Sequence, residues 1–451
     1  MADLFKGKTK REIMIEIGQI SGDEPGENDI GFDITLDLSG KQTWQLVDKI
    51  LLDFKHKINP KYLKLYIKQL RTTLANLFSV NSISEDLYIF YSRDRGYYKK
   101  SKRYNSNGIS FRPLICLVDN LKKYGWIEHI KGRYKKEIKK GSRSRMCPSQ
   151  KLLQAFDEFK ITPKYLNTNQ MDCIRLKDTK KKFKEYEDNS GTRLMRTKLQ
   201  AYNKLLHRTN IELTINKKVS NYLKINPINF NNKEYYRIFN DNSFELGGRY
   251  YGSWWVNLNK DIREYITIND NKTVELDYAN LNIHLLYSEE GLNYYDLNEP
   301  NADPYILKGV DENQRDINKL IITIALNITD KSKFVYAVKG GIEGDNDKNY
   351  SLGNKKLLKV PNAKEIWRRI RLFEKENSLI KHHLFTGVGK RLQFKDSCIA
   401  ESIIESMVNN NIPILAIHDS FIVQHRNESN LYKSMDHIFR SFKLKSVPKI
   451  K

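Results

Sequence analysis

Residues 412–424 read IPILAIHDSFIVQ: a run with no charged residue, a break at His418-Asp419-Ser420, and a second apolar run, Phe421-Ile422-Val423. Two short apolar runs around a polar break predict a buried β-hairpin with an aspartate at its tip. The preceding residues supply a cover. Ile399, Ile403, Ile404, Met407 and Val408 recur at three- and four-residue spacings, which predicts an amphipathic helix with Glu401 and Glu405 on its outer side.

A matching strand lies upstream, in TVELDYANLNIHLLYSEEG. Thr273, Glu275 and Asp277 share one face of a strand, and Val274, Leu276 and Tyr278 share the other. The chain then turns helical, with Leu281, Leu285 and Leu286 on the apolar side and Gly291 at the close. An aspartate at the end of a buried strand, just before a helix, reaches a cleft while its backbone stays in the sheet. Strand-helix and helix-hairpin together make a compact α+β layer. Two carboxylates raised on adjacent strands suit two divalent ions about 3.5–4 Å apart, the arrangement for in-line phosphoryl displacement. Seen singly, either aspartate is an ordinary turn or capping residue.

Between them lies RDINKLIITIALN. Arg315, Lys319, Thr323 and Asn327 are four apart and form one polar helix face opposite Ile317, Leu320, Ile321 and Ile324. A cationic pair so placed could hold a triphosphate, and Lys319 could protonate departing pyrophosphate. The plain alternative is an ordinary amphipathic helix.

The chain has 451 residues, which suggests about three domains, and its 78 Lys+Arg against 54 Asp+Glu leave a net charge of +24. That excess points to a polyanionic partner, most simply nucleic acid, although a lysine-rich composition alone identifies no function. The amino terminus has no apolar signal core, and no stretch of about 18 apolar residues occurs, so a soluble cytoplasmic protein without a membrane partner is expected. Cys116, Cys147, Cys173 and Cys398 lie far apart without a C-x-x-C pair and read as reduced packing residues.

Residues 1–40 are rich in Gly, Asp and Glu and read as a flexible lead-in. Two helical patterns follow, from Thr43 and after Pro60, and a third runs from Ser110, its expected cap, through Leu114, Ile115, Val118 and Leu121 to Gly125. Then come a strand (WIEHI), a basic loop and a returning strand (RMCPS). Helix, hairpin and basic loop in that order predict a winged-helix-like nucleic-acid-binding domain over 41–165. Its wing would set Lys131, Arg133, Lys135, Lys136, Lys139, Lys140, Arg143 and Arg145 on phosphates. A hairpin with a solvated loop is the plain alternative. Residues 166–238, with the run KDTKKKFK, read as a basic, partly helical connector.

In the carboxyl-terminal half, D-Y-x-N before a helix, R-x-x-x-K, and H-D-S-F in a hairpin occur in that order. The region 239–451 resembles the palm and fingers of the superfamily of family A DNA polymerases and single-subunit, phage-type RNA polymerases. The resemblance implies an α+β fold: a palm of antiparallel sheet with helices, and fingers, preceded by the mostly helical winged-helix-like domain. It implies a template-directed nucleotidyltransferase using two Mg²⁺ or Mn²⁺ ions, NTP or dNTP substrates and a nucleic-acid template, DNA rather than RNA. By the same resemblance Asp277 and Asp419, with Tyr278, hold metal, and Lys319 is catalytic. Arg315, Asn282, Thr323, Asn327 and Tyr278 meet the nucleotide. Arg249, in the Gly248-Arg249 step of GGRYYGSWWVNL, and His418 meet nucleic acid.

The chain departs from that pattern at three places. Asn282 stands five residues after Asp277, where the DNA polymerases have glutamate and the RNA polymerases glycine. Asn327-Ile328 replaces a Tyr-Gly pair. Asp419-Ser420 follows the RNA polymerases rather than the acidic pair of the DNA polymerases. Sugar choice and the strandedness of the template stay open. Two other classes compete: a metal-dependent phosphohydrolase using His418-Asp419 with His284, His382, His383 and Asp277, and a DNA-binding replication initiator with an inactive palm. Strand-like flanks around His418-Asp419 argue against the first, and retention of both aspartates and Lys319 against the second.

Overall fold

The computed structural model describes residues 29–451 except 84, 86, 99–101, 133, 136–139, 170, 227, 229, 231, 300 and 344–360. The chain is α+β, with two compact units: residues up to 173 with 216–230, and residues 174–215 with 231–451. No helix among the described residues is long and apolar enough to cross a membrane.

The first unit is built from β1 (Ile30–Gly31), β2 (Leu36–Leu38), α1 (Lys41–Leu52), α2 (Leu63–Ile83), β3 (Ile89–Tyr91), α3 (Phe111–Lys123), β4 (Ile127–Ile130), β5 (Tyr134–Lys135), β6 (Lys140–Gly141), β7 (Ser144–Pro148), α4 (Gln150–Glu158) and β8 (Leu166–Thr168). One core joins Leu46, Val47 and Ile50 of α1, Leu70, Leu74 and Leu77 of α2, and Leu114, Leu117, Val118 and Leu121 of α3. Each set follows helical spacing, so burying one stripe per helix drives their packing. Trp126 fills the core just after α3, its indole N–H donating to Asp53 at 2.7 Å. Gly125 leaves α3 at φ +73°, a conformation glycine adopts without penalty. Ser110 occupies the N-cap position, but its hydroxyl accepts a bond from Gln69 (3.1 Å) instead of capping the helix.

The helix-hairpin order after α3 is present: β4 pairs antiparallel with β7, and β5 with β6 at the tip. The sheet, however, is wider than a hairpin, in the order β1-β3-β7-β4. Two expectations change as a result. Residues 29–40 are no free lead-in as far as they are described, because β1 pairs with β3, and β2 pairs with β8 and is fully buried. Residues 166–238 are no separate connector, because β8 and residues 216–230 belong to the first unit and residues 174–215 and 231–238 to the second.

The second unit comprises β9 (Ile174–Lys177), β10 (Phe183–Lys184), α5 (Ser190–Arg208), β11 (Ile211–Leu213), β12 (Tyr236–Asn240), β13 (Ser243–Tyr251), β14 (Ile266–Ile268), β15 (Asn271–Asp277), α6 (Leu281–Glu289), α7 (Arg315–Asn327), α8 (Phe334–Glu343), α9 (Ala363–Glu376), α10 (Gly389–Asn409), β16 (Leu415–Ile417), β17 (Ser420–Gln424) and α11 (Glu428–Ser441). A five-stranded antiparallel sheet runs β11-β14-β15-β17-β16, and a four-stranded sheet runs β10-β9-β12-β13. The lysine-rich run forms the β9–β10 hairpin, turned by Asp178, whose Oδ1 accepts from the amides of Lys180 and Lys182.

Edge strand β16 has its outward backbone groups taken by tyrosines. Tyr202 of α5 donates to the carbonyl of Ile414 (2.7 Å) and accepts from the amide of Ala416, while Tyr235 donates to the carbonyl of Ala416. Helix α10 packs on β13. Its glutamates do not face outward: Glu401 pairs with the buried Arg237 of β12 at 2.7 Å, and Glu405 with Lys198 of α5 at 2.7 Å. The predicted outer side of this helix is covered because α5 and β12 pack there.

Candidate functional site

Asp277 ends β15 and lies opposite Ser420 in the register with β17, so Asp419 at the hairpin turn is its neighbour. The pairing runs unbroken from Thr273–Gln424 to Asp277–Ser420, which fixes both aspartates at one end of the sheet. On its other side the backbone of Asp277 exchanges two hydrogen bonds with Lys451 (2.9 and 3.0 Å), and Ala279 donates to Lys449. The hairpin turn has two residues, His418 and Asp419, with His418 at φ +59°, a region that histidine tolerates better than most residues. The Ser420 hydroxyl donates to Glu275 at 2.9 Å, and Glu275 holds Arg263 through both oxygens (2.6 and 2.9 Å). Glu275, on the same strand face as Asp277, is thereby committed to structure.

Asp277 and Asp419 are each half-buried. Burial pushes the Asp277 carboxyl above the usual carboxylate range and the charge of Asp419 adds to this, while Lys260 and Lys319 pull the other way. Two mutually repelling carboxylates, one ending β15 and one in the adjacent hairpin turn, are an oxygen donor type suited to hard divalent cations, so the residues fit Mg²⁺ or Mn²⁺.

Next to them stands a second acidic group that periodicity did not single out. Asp396 of α10 is buried and takes both Nε and Nη2 of Arg249 at 2.7 Å. Burial pushes its carboxyl up to about 6 despite Arg249, and the Asp419 charge contributes to the rise. Arg249 reaches Asp396 because of a bulge: Ile238 faces Arg249 and Phe239 faces Gly247, leaving Gly248 as the extra residue. Gly248 has φ +80°, and a Cβ there would lie 2.8 Å from Phe239 and Ser397. The Gly-Arg step thus lets β13 approach α10 and turns the guanidinium onto Asp396, leaving 19% of that side chain accessible. His418, its ring edge-on to Tyr251, is held down to about 4 by burial, with Arg249 reinforcing the shift, and its Nδ1 is buried without a partner.

Helix α7 carries the cationic face. Lys319 is exposed and makes no ion pair among the described residues; its ammonium lies 5.9 Å from the Tyr305 ring centre. Arg315 differs. Its Nε pairs with Asp303 at 2.8 Å and its Nη2 donates to Asn280 (3.1 Å), the left-handed residue that caps α6. Asn327 is turned to structure: its amide donates to the Thr323 backbone carbonyl (2.8 Å), and its side chain fills the space a Cβ on Gly389 would occupy, while Thr323 itself is half-buried on the same helix. Asn282 is half-buried on the first turn of α6. Tyr278 lies on the opposite strand face, its hydroxyl donating to Met435 of α11, so its side chain is removed from the aspartates.

The phosphohydrolase set does not assemble among the described residues. His284 is buried against Ser446 (2.7 Å), and no three of His284, His382, His383, His418 and Asp277 bring ligand atoms within 4.8 Å of one another.

In the first unit, Lys131 and Arg143 are exposed, and Arg143 lies over the Phe90 ring. Arg145 is not a surface contact: it is 1% exposed and faces Asp29 at 3.3 Å. Lys135 and Lys140 are register partners at the wing tip. Arg133, Lys136 and Lys139 lie outside the described residues. No protein-family model matches the chain, and no curated protein matches it.

The residues that sequence reasoning missed are Asp396, Asp303, Asn280, Glu275 as an anchor, Arg263 and Lys260. For Asp396 a signal exists: it lies four after Leu392 and three before Ile399, so a charge interrupts an apolar stripe.

Proposed function

We propose that the second unit is a template-directed nucleotidyltransferase and that Asp277 and Asp419 are its metal-binding pair. The observation that carries this reading is the adjacency of two like-charged, half-buried carboxylates at the end of one sheet, with the unpaired Lys319 close enough to bias Asp277. Bound divalent ions would stabilise charge on the transferring phosphoryl group. Lys319 then faces the leaving pyrophosphate and supplies its proton. Arg315 reaches phosphate only by exchanging Asp303, so in this reading its resting role is to hold α7 against the Asn280 turn. Arg249, paired with Asp396, places a positive charge near Asp419. The first unit, through Lys131, Arg143 and the wing tip, would hold the nucleic acid by its phosphates.

The test is direct. Purified protein with Mg²⁺ or Mn²⁺, each NTP or dNTP set, and single- or double-stranded templates should extend products whose composition follows the template. Binding without any product, in every combination, would favour a DNA-binding protein with an inactive palm. Phosphate release without polymer would favour a hydrolase.

A further inference from the structure

Away from the aspartate pair, the C-terminal end of α6 meets the turn before α10. Glu290, the C-cap of α6, accepts His383 Nε2 at 3.0 Å and His382 Nε2 at 3.2 Å on the same oxygen, Oε1. The two imidazoles lie 4.1 Å apart between ring centres, tilted by 37°. Among the described residues this is the trio of candidate ligands whose donor atoms all lie within 4.8 Å of one another.

We propose that Glu290, His382 and His383 bind a zinc-class divalent ion. With metal–nitrogen and metal–oxygen bonds of about 2.0–2.2 Å, two ligands of a tetrahedral site are separated by roughly 3.3 Å. The two nitrogen–oxygen distances, 3.0 and 3.2 Å, match that edge, and all three donor atoms lie within 4.8 Å of one another. Two imidazoles and one carboxylate select borderline ions such as Zn²⁺ over Mg²⁺, whose oxygen preference fits Asp277 and Asp419 instead. The site also lies at the negative end of a nine-residue helix, which favours a cation. The His383 side chain is 12% exposed, and its backbone carbonyl accepts from the Thr386 hydroxyl at 2.6 Å, which steadies the turn that carries it. His382 is 57% exposed, which leaves the fourth position to water.

The ion would act as a clamp. Glu289, the preceding residue, already pairs with Arg391 and with Lys395 (2.7 Å) on α10. A metal on Glu290 would add a second tie from the end of α6 to the 381–383 turn. This inference does not depend on the polymerase reading.

The experiment is a Zn²⁺ titration of the full chain against a chromogenic chelator, in excess Mg²⁺, with Co²⁺ absorption as an independent readout. The wild type should bind one Zn²⁺ per chain, show a Co²⁺ band of four- or five-coordinate geometry, and melt at a higher temperature with Zn²⁺. His382→Ala, His383→Ala and Glu290→Gln should each weaken binding at least tenfold and abolish the thermal shift. Asp277→Asn with Asp419→Asn should leave Zn²⁺ binding intact. Binding below one equivalent, an octahedral Co²⁺ spectrum, unchanged affinity in the histidine variants, or loss in the aspartate variant instead would each overturn the proposal.

Discussion

The two sheets of the second unit use buried charge in opposite ways. At the end of the five-stranded sheet, Asp277 and Asp419 stand side by side with like sign. Beside the four-stranded sheet, Asp396 is matched by Arg249 and Glu401 by Arg237. A paired buried charge holds elements together, and removing one partner leaves the other stranded. Asp277 and Asp419 repel each other, an effect that Lys260 and Lys319 oppose at Asp277 without forming an ion pair there among the described residues. In the proposed reading a divalent cation offsets that repulsion. On that reading, the contrast separates residues kept for a ligand from residues kept for the fold.

The widest gap between the two classes should appear on replacing one acid at a time. Asp277→Asn or Asp419→Asn should lower nucleotide incorporation by on the order of 10³-fold or more, about 4 kcal/mol, without lowering the melting temperature. Single-turnover incorporation and thermal denaturation on the same samples check this. Asp396→Asn should do the reverse, costing about 3–5 kcal/mol of stability in denaturant titrations because Arg249 loses its buried partner. A variant at Asp396 as stable as wild type would erase the distinction.

Lys319→Ala should slow incorporation about 10²-fold, and saturating nucleotide should not restore the rate if Lys319 transfers a proton. Full rescue would make it a binding group only.

A pH titration sharpens the contrast. His418 is held at about 4, well below its unfolded value, so the unfolded chain binds the extra proton, and stability falls as pH drops from about 6.5 towards 4. Asp396 is raised to about 6, so the folded chain binds the extra proton, and its contribution falls as pH rises through 4 to 6. The two slopes oppose each other, and His418→Asn should flatten the acid-side loss seen in denaturation midpoints between pH 6.5 and 4.

The smallest effect concerns the first unit, where exposed and buried arginines differ in the same manner. Lys131→Ala and Arg143→Ala should each reduce the log–log salt slope of duplex binding by about 0.9 if they contact phosphate. Arg145, facing Asp29, should change stability and leave that slope alone; a slope change there would contradict its burial.

Much of this was legible in the sequence where period and burial coincide. The 412–424 hairpin, the 273–291 strand and helix, and α3 with Gly125 follow from alternation or helical spacing. Asp396 escaped because a helix pattern is read from its apolar members, and a lone acid among them looks like noise until Arg249 faces it. The bulge at Gly248 escaped because one extra residue leaves no mark on alternation over so short a strand. The 166–238 segment looked uniform because its polarity is local, whereas strands of two to four residues gain their place only from partners far along the chain. Ser110 had the right residue type for a cap, yet Gln69, 41 positions away, takes its hydroxyl.

The phenols along β16 have a consequence for assembly. A sheet can grow only where a strand offers free amides and carbonyls to a newcomer. On this side the outward groups of Ile414 and Ala416 are already satisfied by Tyr202 and Tyr235 from within the same unit. An approaching strand meets aromatic rings instead of a backbone ladder, so the hairpin that carries Asp419 closes the sheet as a wall rather than leaving it as a template.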